Sequence, residues 1–224
     1  MTNEEAIKLT TDTFNLIKIS KTIKEIEDIP DKVNIPIKSR MKIDSYPKID
    51  FFINQNEILS LIANKILDDD LNFTTDITSK LTDPLTKLLY AISWKNGDLK
   101  KVKHIVKGIL ECEDENSNQE EALVFYQFGK YLTKVSGQPI IDQHVIRAFA
   151  TYKLSEFEKL SNLRQIEIIS KKHKYIINLY KNWLISDELT TELKSIKDYT
   201  YYIDKLLFAT GKTIKQTVKQ KIIY

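Results

Sequence analysis

Glycine and proline are scarce, five of each in 224 residues. Sandwiches, barrels and doubly wound sheets use glycine at their tight turns, so this scarcity argues for helices joined by polar connections. Cys112 is the single cysteine, which excludes an internal disulfide and any zinc site built on several thiolates. A reducing compartment is the expectation. Histidine occurs only at 104, 144 and 173, with no two at the helical spacing of a metal-binding pair. No metal and no cofactor is expected. No apolar run approaches the length of a membrane span. The first residues, MTNEEAIKLTTDTF, lack the apolar core of a secretory signal. The cytoplasm is the expected location, with no membrane partner.

What is present is ordinary for a folded chain: 42% hydrophobic and 29% charged residues, with a net charge of +3. The positive charge is nearly all lysine, since arginine stands only at 40, 147 and 164. That balance is compatible with nucleic-acid binding without implying it.

Helical periodicity covers most of the chain. Residues 4–28 carry apolar positions at Leu9, Phe14, Ile17, Ile19, Ile23 and Ile26. Pro30, Pro36 and Pro47 mark residues 29–50 as an extended connector. QNEILSLIANKILD (55–68) is amphipathic and ends in Asp68-Asp69-Asp70, which reads as a solvated helix end rather than a metal cluster. Asp83-Pro84 opens the helix PLTKLLYAISWK, Asn96-Gly97 turns, and Asp98 caps LKKVKHIVKGILE. An acidic loop (111–121) leads into a strong helix over 119–135. The pattern is helical again from Arg164 to Ile185 and from about 188 to 209, the latter capped by Asp187. A basic tail follows. The expectation is a single all-α domain of eight to ten helices over 1–224, with two lobes, 1–82 plus 153–224 and 83–152, as the alternative.

Gly211-Lys212-Thr213 resembles the end of a phosphate-binding loop, but Leu206 stands where that motif needs its first glycine. Gly211 is better read as a helix C-terminal glycine. KKHKYIINLYKNW (171–183) interleaves lysines with Tyr175, Tyr180 and Trp183. It could stack on bases, or it could be a core-facing aromatic stripe with a lysine-rich solvent face.

The most informative stretch is FYQFGKYLTKVSGQPIIDQHVIRAFATY (125–152): a helix, a break at Gly137-Gln138-Pro139, then Asp142 opening a second helix. Lys130 follows Gly129 within an apolar helix. In a cleft its amine would be desolvated and nucleophilic; the alternative is a lysine that snorkels to the surface. Asp142 is a helix cap, a functional carboxylate, or both.

A helix with the Gly129-Lys130 pair, followed by Pro139-Ile140-Ile141-Asp142-Gln143-His144-Val145-Ile146-Arg147, resembles the helix-hairpin-helix DNA glycosylases. The resemblance is to bacterial proteins with an 8-oxoguanine glycosylase fold. It implies Lys130 as the nucleophile and Asp142 as the catalytic aspartate, acting on a flipped base in DNA with or without strand cleavage. Lys134, His144, Arg147, Lys171, Lys172 and Lys174 are then the candidate nucleic-acid contacts. The glycine-x-glycine hairpin of that family is missing, and the connector between Lys130 and Asp142 is short. The competing expectation is therefore a non-catalytic all-helical module that binds a protein or a nucleic acid.

Overall fold

The structure is a computed structural model and describes residues 1–114, 118–156 and 158–216. Its α-helices are, in order, α1 (Asn3–Ile19), α2 (Ile23–Lys32), α3 (Gln55–Ala63), α4 (Ile77–Lys80), α5 (Pro84–Lys95), α6 (Leu99–Leu110), α7 (Leu123–Leu132), α8 (Gln143–Leu154), α9 (Leu160–Arg164), α10 (Lys174–Ile185), α11 (Thr191–Lys194) and α12 (Tyr199–Thr213). Short 3-10 turns lie at Ile37–Ser39 and Lys171–His173. Among the described residues there is no strand, only an isolated antiparallel bridge between Leu67 and Phe73. The all-α expectation holds.

The described residues form twelve α-helices where eight to ten were expected, in part because capping side chains cut long periodic stretches. The 4–28 pattern breaks at Ser20–Thr22. There Thr22 and Glu25 form a capping box, each side chain bonding the other's backbone amide, and a new helix starts. α2 then runs past Pro30 to Lys32, so the connector begins later than the prolines suggest. In 188–209 the cap is Thr190, whose Oγ1 accepts from the Leu193 amide, rather than Asp187. The helix expected over 119–135 starts only at Leu123, because Ala122 is left-handed (φ 48°).

The chain divides into two compact units, residues 1–48 with 139–224, and residues 49–138. In the first, α8 is buried along most of its length, its polar Arg147 and Thr151 included. Phe149 on α8 meets Phe14 of α1 and Tyr180 and Trp183 of α10, with ring centroids 5.0–6.0 Å apart. Phe14 stacks on Tyr152 at 4.0 Å. α12 lies across the start of α8, where Gly211 meets the His144 carbonyl so closely that a Cβ would collide with it. α12 continues through Gly211 to Thr213, so this glycine serves close packing and not helix termination.

The second unit has a small core of Ile58, Leu67, Val106 and Ile109. α6 and α7 cross at Gly108 and Gly129. The ends of the unit are tied together: Ile53 N donates to the Leu132 carbonyl (3.0 Å) and Lys134 Nζ to the Ile49 carbonyl (2.7 Å). α5 buries no residue and is held through Tyr90, whose ring meets Phe73 edge-on at 5.8 Å.

Candidate functional site

Lys130 and Asp142 fall in different units, Lys130 in 49–138 and Asp142 in 139–224. Lys130 does not snorkel. It is 2% exposed, its Nζ donates to the Asp114 carbonyl at 2.5 Å, and it lies 5.2 Å from the Tyr126 ring centroid. A buried ammonium needs such acceptors, because removing it from water otherwise costs several kcal/mol. Gly129 beside it faces Gly108, where a side chain on either residue would strike backbone of the opposite helix.

Asp142 caps α8. Its Oδ1 accepts from the amides of His144 (2.7 Å) and Val145 (2.8 Å), two of the donors a helix start leaves unpaired. Around it the first unit assembles a polar cluster. Arg147 is fully buried; its guanidinium donates to the carbonyls of Gly211 (2.9 Å) and Ile166 and touches His144 Nδ1 at 2.7 Å. Burial pushes the Arg147 guanidinium down to about 10, against the pull of Asp142 and Glu167. Burial also lowers the His144 imidazole, whose ring packs edge-on to Phe208 at 4.8 Å.

Asp204 completes this cluster. Its Oδ1 accepts from the Tyr180 hydroxyl and its Oδ2 from the Ile140 amide, each at 2.6 Å. Burial pushes the Asp204 carboxyl well above its usual range, outweighing the hydrogen bonds from Tyr180 and Ile140, which lower it. Arg164 is a second buried guanidinium, holding the carbonyls of Met1 (3.0 Å) and Ile214 (2.8 Å). Asp204 passed unnoticed in the sequence, and Arg164 was given no role there. The available signal was an acid within the apolar run YTYYIDKLLFATG and one of only three arginines.

Two of the candidate contacts, His144 and Arg147, thus come together with the candidate catalytic Asp142 at the start of α8. Lys134 lies elsewhere, its Nζ on the Ile49 carbonyl and 3.0 Å from the Tyr131 hydroxyl. Lys171 and Lys172 are exposed and Lys174 is half-buried, around the 3-10 turn that precedes α10. Lys172 lines an open groove of about 600 Å³ with Glu158, Glu167 and His173, so basic and acidic groups alternate there. Tyr180 and Trp183 point into the core, which settles the 171–183 segment largely as an aromatic stripe, while Tyr175 stays exposed. Among the described residues no three histidine, cysteine, aspartate or glutamate side chains converge as a metal site would require. No helix among the described residues is long and apolar enough to cross a membrane.

The other unusual surface is α5. Leu85, Leu88, Leu89 and Ile92 recur at the spacing of one helix face and are 62, 58, 55 and 49% exposed. The inward residues are Tyr90 and Ser93, both half-buried. The sequence announces a helix here, but it cannot say that its leucine side faces solvent. Compared with protein-family models, with curated proteins and with solved structures, the chain gives no match.

Proposed function

We propose that this chain is a non-catalytic all-helical interaction module, whose second unit docks a protein partner on α5. The observation that carries the reading is the solvent-facing stripe Leu85, Leu88, Leu89 and Ile92. A contiguous apolar face left in water marks an interaction site more often than an accident of packing. A helix of twelve residues that buries none of them is also marginal by itself, since helices of about 12–15 residues need tertiary support. Asp83 caps it and Pro84 fits its first turn, so the helix is preset locally and gains its missing contacts from a partner.

The base-excision reading, a DNA-binding hydrolase, asks Lys130 and Asp142 to act on one extruded base. Each has a structural duty inside its own unit instead: Lys130 is bound to the Asp114 carbonyl, and Asp142 caps α8. The glycine of the Gly129-Lys130 pair serves a helix crossing, and Arg147 has no surface to offer a phosphate.

The test places a photo-crosslinking amino acid at position 88, and for comparison at the exposed Lys24 in the first unit. Irradiation in extract of the native cells should give protein adducts at 88 that Ile92→Lys abolishes. Adducts to nucleic acid alone, or equal labelling at both positions, would overturn the reading. Borohydride trapping on abasic-site duplexes should give no covalent product; a product lost in Lys130→Ala would restore base excision.

A further inference from the structure

The contact between Arg147 and His144 fixes where a proton can go. A guanidinium only donates, so the His144 Nδ1 that lies 2.7 Å from Arg147 Nη1 is the acceptor. The ring then carries its hydrogen on Nε2 and is neutral. A second proton has one place to bind, the Nδ1 lone pair, and Arg147 already occupies it. Proton uptake and the Arg147 contact therefore exclude each other. Arg147 is the fixed member of the pair. It is fully buried, its Nη1 also donates to the Gly211 carbonyl at 2.9 Å, and its Nη2 holds that of Ile166. His144 is half-buried on the first turn of α8, so the ring is the part that moves.

That ring is also part of the seat of α12. It packs edge-on to Phe208 at 4.8 Å, Lys212 Nζ lies 5.7 Å from the Phe208 ring centroid, and the His144 carbonyl backs against Gly211. Phe208, Gly211 and Lys212 stand at i, i+3 and i+4, one face of the last turns of α12. Among the charges around the ring, Asp142 on α8 favours an imidazolium. Arg147 on α8, Lys212 on α12 and Lys215 just beyond it oppose one, and burial opposes it most. The nearby acids are engaged: Glu167 pairs with Lys215 at 2.7 Å, and Asp204 of α12 accepts from Tyr180 and the Ile140 amide.

We infer that His144 is an acid-operated latch on the C-terminal end of α12. Neutral, the ring rests between Arg147 and Phe208 and closes the contact of α8 with α12. Protonated at Nδ1, it meets a guanidinium at hydrogen-bond distance, leaves for water and frees residues 208–213. The opening is bounded on its far side. Arg164 holds the Ile214 carbonyl at 2.8 Å, and its own carbonyl accepts from the Gln216 amide at 3.2 Å. The closed form binds fewer protons than the open one, so the latch is shut above about pH 6.5 and opens as pH falls below it. The Asp204 carboxyl acts the other way, favouring the folded form in acid, so direction separates the two.

Amide hydrogen exchange of the full chain, read by NMR from about pH 5 to 8 and corrected for intrinsic rates, tests this. Protection of Gly211, Lys212, Thr213 and Ile214 should be constant above about pH 7. Below about pH 6.5 it should fall by up to about tenfold per pH unit, levelling off once the folded ring is protonated. Phe14 and Ile17 in α1 should not share the step. The 15N spectrum of the imidazole should show Nε2 protonated and Nδ1 bare at about pH 7.5, with Nδ1 gaining its proton over the range of the step. His144→Asn places a carboxamide oxygen near the Nδ1 position, which accepts but does not titrate. It should keep the protection seen at neutral pH and abolish the step. Flat protection in wild type, a proton on Nδ1 at about pH 7.5, a step shared equally by α1, or a step that survives in His144→Asn would each overturn the latch. If the variant misfolds, the wild-type exchange and the 15N spectrum decide.

Discussion

Gly108 on α6 and Gly129 on α7 meet where their helices cross. A Cβ on Gly108 would lie 3.1 Å from the Gly129 Cα, and one on Gly129 would lie 3.0 Å from the Gly108 Cα. Each would also strike a backbone carbonyl, that of Tyr126 or of Ile105. Backbone cannot rotate aside as a side-chain tip can, so α6 and α7 must separate to admit a methyl. Gly129→Ala should therefore cost about 2–4 kcal/mol, at or above the usual cost of overpacking. Urea denaturation followed by circular dichroism measures it. A loss under about 0.5 kcal/mol, the level of a neutral surface change, would show that the crossing has slack.

Arg147 is the largest fully buried side chain, and its Nε has no partner among the described residues. Its other nitrogens hold the carbonyls of Gly211 and Ile166 and so tie α12 and the stretch after α9 to α8. Arg147→Ala leaves those acceptors unpaired and opens a cavity, with an expected loss of about 3–5 kcal/mol. Arg147→Lys should recover part of it, because one ammonium can reach one acceptor but not span both. Thermal denaturation of the two variants ranks them.

The Asp204 carboxyl titrates above its ordinary range because it is buried. The folded chain then retains a proton that the unfolded chain releases above about pH 4. Stability should fall as pH rises from there through the elevated value, by up to about 1.4 kcal/mol per pH unit. His144 and His173 act oppositely: burial lowers both, so they cost stability as pH drops below about 6.5. Asp204→Asn isolates the carboxyl. Its amide can still accept from Ile140 and meet Tyr180, and the difference between variant and wild-type stability should grow with pH. Parallel curves from pH 5 to 9 would rule the carboxyl out as the source.

Exposure separates the apolar stripe of α5, which faces water, from the buried apolar face of α6. Leu89→Ser should leave the unfolding midpoint of the monomer within about 0.5 kcal/mol of wild type, because the side chain already faces water. Ile109→Ala, in the core of the same unit, should cost about 2–5 kcal/mol. Equal losses in chemical denaturation at low protein concentration would mean that α5 is packed in solution.

The all-helical class was legible because glycine and proline are few and apolar spacing is helical nearly throughout. Asp83 and Pro84 marked the start of α5 correctly, since capping is a local matter, whereas Asp98 stands at the start of α6 without a side-chain cap bond and pairs with Lys101 instead. Asp142 likewise caps α8 as its spacing suggests. Helix counts were not legible, because Thr22 and Thr190 compete with uninterrupted periodicity and win. Gly211 misled for a different reason: a glycine near a helix end also suits an interior contact, and only the approach of the His144 carbonyl distinguishes them. Lys130 shows the same limit. Periodicity put it in an apolar helix, but its acceptor, the Asp114 carbonyl, is sixteen positions away and carries no side-chain signature.

The bonds from Lys134 to Ile49 and from Ile53 to Leu132 have a consequence for evolution. A segment whose entry and exit are stitched to each other asks its host for only a small gap. Such a cassette can be gained, lost or exchanged as a whole while the residues before 49 and after 138 keep their own contacts. A change in this segment need not disturb the buried Arg147 and Arg164 of the host, since it can arrive as one splice.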